Sequence, residues 1–250
     1  MHKIVPCPCC NSVDQTSIPA YMSQFVVWRT TGVKPESNLS NLLIQCNHCN
    51  YYFSDTRFTD EELARLYTGY RGEQYNQMRI ECEPNYQTVV YSDSYIKQRK
   101  EFIDALIGRH VSDVNSIIDY GGDDGTYIPE MFTTTEKYVY DLSGANTLPG
   151  IKKYDPTNKQ KFDLVMNCQV LEHVADINQL MDNLKALANS YLYIEVPAYR
   201  KPPVRGMVVG EHLNFFRRAS LVALLNRHDV QLVDTAVDYD LQVLAVLGKI

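Results

Sequence analysis

Ile117-Ile-Asp-Tyr-Gly-Gly-Asp-Asp-Gly125 is the stretch on which the fold turns. Its apolar start reads as a buried strand from Ser116 to Tyr120, the glycines as a tight turn, and the residues beyond them as the start of a helix. Glycines at the carboxyl end of such a strand let backbone approach a ligand where α/β proteins place nucleotides. A glycine turn can equally serve only as a strand-to-helix connection.

Working outward, apolar strands alternate with amphipathic helices as an α/β sheet requires. Strands are expected at Tyr138 to Leu142, Phe162 to Met166 and Tyr191 to Val196. Ile177, Leu180, Met181, Leu184 and Leu187 share one helix face, and Leu221, Leu224 and Leu225 mark a last helix. Two closing strands near Val230 to Val237 and Leu241 to Leu247 have a connection short enough for an antiparallel hairpin. Asp141, at the end of the second strand, can accept both hydroxyls of a ribose, or can simply cap a turn. Asp155 can bind an adenine amino group.

The first fifth of the chain is different. It holds five of the seven cysteines, and Cys7-Pro-Cys-Cys10 and Cys46-Asn-His-Cys49 each form a C-x-x-C knuckle. Two such knuckles make a closed site for zinc held by Cys7, Cys10, Cys46 and Cys49, with Cys9 and His48 as competing ligands and ordinary buried thiols as the alternative. A closed site leaves no coordination position for substrate, so the zinc is expected to be structural. Thr59 and Glu62 have capping-box spacing ahead of a short helix ending at Gly69. Tyr95, Arg99, Phe102, Ile103 and Leu106 then repeat at helical spacing up to Gly108. The expected division is a zinc-binding module over 1–70, a helical connector over 71–110 and a cofactor-binding domain over 111–250.

The chain has 250 residues, 45% hydrophobic and 22% charged, enough for one sizeable core and one small unit. A net charge of -6 without a basic block argues against a nucleic-acid partner. Neither a leader nor a span-length apolar run is visible, so a cytoplasmic protein is expected.

Asp119-Tyr-Gly-Gly-Asp-Asp-Gly125 resembles the first motif of the class I S-adenosylmethionine-dependent methyltransferases, and Asp141 matches their ribose-binding acid. Phe162-Asp-Leu-Val-Met-Asn-Cys-Gln-Val-Leu-Glu-His-Val174, Tyr193-Ile-Glu-Val-Pro197 and Glu211-His-Leu-Asn-Phe-Phe216 resemble later blocks of that family. The resemblance implies a Rossmann-like sheet with S-adenosylmethionine across Asp119, Gly121, Gly122 and Gly125, its ribose on Asp141, and Asn167 and Cys168 at its methionine end. Cys168 fits a small buried hydrophobe equally well. Asp123 departs from the motif, standing where the family has its middle glycine.

The cysteine module is similar to the zinc-binding domain of sugar methyltransferases acting on nucleotide-linked deoxysugars. This implies a small sugar, phosphorylated or nucleotide-linked acceptor, of the kind used in surface-polysaccharide synthesis. Members that methylate carbon carry a further carboxyl-terminal domain, whereas this chain ends at Ile250, which favours oxygen or nitrogen. His212 is expected to be the general base, since an imidazole titrates near cellular pH, with Glu211 and Tyr75 beside the acceptor. The alternative for His212 is a bond holding its loop to the sheet. His173, read as lying at a helix start, is not assigned to catalysis, and His228 is read as a favourable charge at a helix end. The rival functions are a catalytically inactive cofactor-binding partner and a zinc-ribbon nucleic-acid adaptor.

Overall fold

A computed structural model describes residues 5–88 and 90–250. Two sheets organise them. The first begins with β1 (Gln15–Met22), α1 (Gln24–Thr31), β2 (Leu39–Cys46) and β3 (Tyr52–Ser54). Three helices follow: α2 (Asp60–Tyr67), α3 (Glu73–Cys82) and α4 (Asp93–Gly108). The Thr59 hydroxyl accepts from the Glu62 N–H while the Glu62 side chain accepts from the Thr59 N–H, so the expected capping box starts α2.

The second sheet contains β4 (Ser116–Tyr120), β5 (Glu136–Tyr140), β6 (Ile151–Lys153), β7 (Phe162–Cys168), α5 (Ile177–Leu187) and β8 (Ala188–Pro197). The chain continues through β9 (Val208–Val209), β10 (Asn214–Phe215), α6 (Arg218–Arg227), β11 (Gln231–Asp238) and β12 (Val243–Lys249). The strand order is β11-β12-β8-β7-β4-β5-β6. β4 to β8 run parallel, whereas β12 lies antiparallel to both β8 and β11. This is the expected α/β sheet with a reversed hairpin at its edge. Its two faces are filled by separate apolar clusters, one containing Leu180, Leu184, Leu221 and Leu224, the other Ile103, Leu106 and Ile107 of α4.

β9 and β10 do not join this sheet. β9 pairs with β1, and β10 with β3, so the segment after β8 returns to both edges of the first sheet. Strands this short are held by their neighbours rather than by their own pattern. The side chain of Asn214, fully buried, fixes the join. Its Oδ1 accepts from the Tyr51 hydroxyl (2.6 Å) and Arg57 (2.8 Å), and its Nδ2 donates to the carbonyls of Leu171 and Val174, both at 2.8 Å.

The structure corrects two local expectations and adds to a third. No helix follows the glycine turn, because residues 121–135 form only turns. The Asp124 carboxylate captures the Thr126 N–H (2.9 Å) and hydroxyl (2.6 Å) in a local turn, and Pro129 disfavours helical backbone at Ile128. His173 belongs to a turn, since α5 starts at Ile177 behind Asp176, whose side chain accepts from the N–H groups of Asn178 and Gln179. His228 does cap α6, but its ring also bridges to α5, with Nδ1 3.0 Å from Asp182 and Nε2 2.9 Å from Asn178. Among the described residues no helix is long and apolar enough to cross a membrane.

Candidate active site and cysteine cluster

The four knuckle thiols converge. Sγ atoms of Cys7, Cys10, Cys46 and Cys49 all lie within 4.8 Å of one another, with Cys7 to Cys49 at 3.7 Å and Cys10 to Cys46 at 3.5 Å. The knuckles share one backbone geometry: the Asn11 N–H donates to the Cys7 carbonyl (2.9 Å) and the Asn50 N–H to the Cys46 carbonyl (3.0 Å). Both asparagines adopt left-handed backbone, φ 62° and 56°, a conformation asparagine tolerates well. Cys9 is buried outside this group of four and His48 is exposed.

The glycine turn sits at the carboxyl end of β4. Gly121 and Gly125 have φ of 85° and 88°. A Cβ on Gly121 would lie 2.5 Å from Val170, and one on Gly125 2.5 Å from Ile151. The protein's own packing therefore demands glycine at both positions. A Cβ on Gly122 would collide with the Asp119 carboxyl at 2.4 Å. Asp123, the departure from the motif, takes φ 53°, and its N–H donates to Asp141 Oδ2 (2.9 Å). Asp141 also accepts from the Ser143 N–H (2.7 Å), and Ser143 donates in turn to Asp123 (3.0 Å). Asp141 thus ties the turn after β4 to the end of β5. Asp155 stands exposed after β6, where it caps a single 3-10 turn through Thr157, a contact that holds its carboxyl below the usual range.

Asp119, fully buried, has no partner for either carboxyl oxygen among the described residues. Burial pushes its pKa up to about 7, against the pull of Arg99. Asn167, beside it on β7, donates to the Tyr120 carbonyl (2.7 Å) and leaves its Oδ1 without a partner among the described residues. Cys168 ends β7 as a buried thiol, pushed well above its ordinary pKa by burial.

The segment between β9 and β10 carries Glu211 and His212. Glu211 accepts from the Tyr75 hydroxyl and from Arg79 (2.6 Å), both on α3 one turn apart. Burial raises the Glu211 carboxyl to about 7 despite Arg71 and Arg29. His212 Nδ1 lies 2.7 Å from the Tyr199 hydroxyl. Its ring meets that of His173 edge to face at 4.6 Å, and His173 Nδ1 lies 2.7 Å from the Tyr67 hydroxyl. Burial, aided by Arg79, lowers His212 to about 4, so its imidazole is neutral at cellular pH. Burial likewise lowers His173, with His212 adding to the effect. Glu172 completes the group: its carboxyl, 1% exposed and raised to about 8 by burial, lies 3.7 Å from His173 Nε2. Glu172, His173 and His212 bring one potential ligand atom each within 4.8 Å of the others. Tyr70 packs against both Tyr67 and Tyr75 at 5.5 and 5.3 Å.

Tyr75, Glu211 and His212 are thus gathered in one place, and the glycine turn, Asp119, Asp141, Asn167 and Cys168 in another, at the ends of adjacent strands. Sequence reasoning gave no role to Arg79 and Tyr199, which bond to Glu211 and His212, or to His173, which packs on His212. A tyrosine and an arginine four residues apart were visible in sequence, but without a recognised α3 they had no common face.

A solved structure supports the fold. A structure of 1,6-didemethyltoxoflavin-N1-methyltransferase from Burkholderia thailandensis, with bound 1,6-didemethyltoxoflavin and S-adenosylhomocysteine, is 14% identical with a TM-score of 0.53, over 84% of this chain and 95% of that one. Magnesium protoporphyrin IX methyltransferase from Synechocystis PCC 6803 with bound S-adenosylhomocysteine is 14% identical with a TM-score of 0.46, over 70% and 94%. No curated protein matches the chain. Residues 95–235, more than half of the chain, match the family model of the methyltransferase domain, and the chain belongs to that family as a class I S-adenosylmethionine-dependent methyltransferase.

Proposed function

We propose that the chain methylates an oxygen or nitrogen of a small sugar, phosphorylated or nucleotide-linked acceptor, with His212 as general base. The observation carrying this reading is the neutral, half-buried His212 imidazole, held through Nδ1 by the Tyr199 hydroxyl and packed edge to face on His173. S-adenosylmethionine supplies an electrophilic methyl group when bound. The chain's own work is then to orient the acceptor, exclude water and take its proton. Holding an acceptor in line can contribute roughly 7–11 kcal/mol, and a positioned base roughly two to four orders of magnitude. His212 Nε2 can take the proton only when Nδ1 carries its hydrogen and donates it to Tyr199. Tyr67 and Tyr70, both half-buried, offer rings and phenols of the kind that stack on and bond to sugars, while the buried Tyr75 holds Glu211 in place. The Glu211 carboxylate, charge-balanced by Arg79, suits a hydroxyl donor.

On the cofactor side, the orphaned Asp119 carboxyl and Asn167 carbonyl fit the polar methionine end, and Asp141 fits the ribose. The exposed Asp155 fits the adenine amino group. Gly121, Gly122 and Gly125, packed against the protein's own Val170, Asp119 and Ile151, shape the turn over which the cofactor would cross.

We further propose one structural zinc on Cys7, Cys10, Cys46 and Cys49. Zinc with thiolate bonds of about 2.3 Å spaces its sulfurs about 3.8 Å apart, close to the 3.7 Å of Cys7 to Cys49 and the 3.5 Å of Cys10 to Cys46. The division near residues 70 and 110 then separates a zinc-bearing unit from the cofactor domain, with residues 208–215 tying the two together. Seven free thiols suit a reducing compartment such as the cytoplasm. Methyl-labelled cofactor incubated with nucleotide-sugar and glycan-precursor pools tests the acceptor class: label should enter a small polar sugar derivative, and label confined to other compound classes would refute it.

A further inference from the structure

The chain contains two Glu-His dipeptides, Glu172-His173 in the turn after β7 and Glu211-His212 between β9 and β10. The Glu172 carbonyl accepts from the N–H groups of Leu213 (2.8 Å) and Asn214 (3.1 Å), which clamps the two segments together. The two acids then fare differently. Glu211 is satisfied by Tyr75 and Arg79, whereas the Glu172 carboxyl, 1% exposed, has no hydrogen-bond partner for either oxygen among the described residues. A buried carboxyl in that state calls for a partner, and a cation is one of the few that serve.

Two imidazoles stand beside it. Nδ1 of His173 lies 2.7 Å from the Tyr67 hydroxyl, and Nδ1 of His212 2.7 Å from the Tyr199 hydroxyl. With each Nδ1 so engaged, Nε2 is the nitrogen left to a ligand on both rings. His173 Nε2 stops 3.7 Å from Glu172 Oε1, beyond hydrogen-bond length. That span is close to the roughly 3.3 Å between two ligand atoms on a tetrahedral ion with bonds of about 2.0–2.1 Å. Ligating histidines are commonly oriented by a bond from their other ring nitrogen, the part the two tyrosines play here. Glu172, His173 and His212 bring one ligand atom each within 4.8 Å of the others, and both rings are half-buried, so an ion can enter from their side.

We propose that Glu172, His173 and His212 form a second metal site for one divalent first-row transition ion, and that the ion halts methyl transfer by occupying the His212 lone pair. Two imidazoles and one carboxylate suit zinc, cobalt or nickel over magnesium or calcium, which prefer oxygen ligands. Three protein ligands leave a position open, unlike the closed four-thiol cluster. With fewer ligands and no thiolate, the ion binds more weakly than the structural zinc and is acquired only when metal is added. The inhibitory half rests on His212 as general base; the metal site does not.

Titration of the intact protein, as purified, with cobalt(II) chloride tests both halves. One cobalt should bind with visible absorption but without the intense thiolate charge-transfer bands that cobalt on the cysteine cluster would give. Transfer to the acceptor that wild type labels should cease as that absorption saturates. Tyr67→Phe, which removes only the hydroxyl holding His173, should weaken this cobalt about 10- to 100-fold, the cost of losing an outer partner. Glu172→Gln and His173→Asn, which remove ligands themselves, should each weaken it by about 100-fold or more, beyond that range. Absence of any cobalt outside the cysteine cluster, or one bound equally by the folded variants, would overturn the site and leave the base assignment standing. Cobalt bound with this ligand dependence but without effect on transfer would overturn the inhibition and remove His212 as the base.

Discussion

The Tyr199 hydroxyl and His212 Nδ1 lie 2.7 Å apart, joining the chain just after β8 to the segment between β9 and β10. This bond sets which nitrogen of the imidazole faces away with a free lone pair. Tyr199→Phe removes the acceptor that holds the hydrogen on Nδ1. Turnover should fall about 10- to 100-fold, within what a general base contributes, with S-adenosylhomocysteine binding unchanged. The imidazolium also loses a partner, so the acid limb of the rate profile, near pH 4 for His212 in the free protein, should move lower. Steady-state rates against pH, alongside calorimetry, check both outcomes.

Glu172 gives a stability prediction with a definite sign. Its folded pKa of about 8 lies above its ordinary 4.5. The stabilisation from holding it protonated is therefore fully present below about 4.5 and is lost as pH rises through 8. Glu172→Gln cannot ionise. Without ligand, it should melt together with wild type at pH 4.5 and higher at pH 8, by at least about 2 °C, the shift expected from roughly 1 kcal/mol in a chain of this size. His212 and His173 act oppositely, their contribution being present above about 6.5 and lost only as pH falls. Thermal melts across that range separate the two.

Under the proposed zinc assignment, protein purified without added zinc should contain about one equivalent on the four converging thiols. Replacing Cys46 and Cys49 with serine should remove it and destabilise the first sheet. Because β9 and β10 pair with that sheet, loss of metal should also lower turnover while sparing cofactor binding. Metal analysis paired with calorimetry reads both, and two equivalents would place a second ion at Glu172, His173 and His212.

What the sequence conveyed follows from pattern length. Strands β4, β7 and β8, helix α5 and the closing hairpin were legible because apolar runs or 3.6-residue repeats extend over several turns or pairs. The Thr59–Glu62 box and the two knuckles were legible because they are local. Helix α1 was not: Val26-Val27 and Thr30-Thr31 read as strand, and burial of Phe25 and Val26, with the Ser23 and left-handed Gly32 caps, overrides that propensity. Helix α3 buries only Tyr75, which leaves no apolar stripe to recognise. The helix expected after Gly125 fails because a local Asp124 turn competes with it. Arg99 was counted in the helical repeat of α4, and its charge on that buried face was the sign of its ion pair with Glu195 of β8.

The central claim, methyl transfer with His212 as base, is tested most directly by turnover of His212→Asn with methyl-labelled cofactor and the acceptor that wild type labels, measured against pH. The account predicts that transfer falls by about two to four orders of magnitude, the contribution of a general base, while S-adenosylhomocysteine binding stays at the wild-type level. Near-normal transfer with an unchanged pH profile would contradict it.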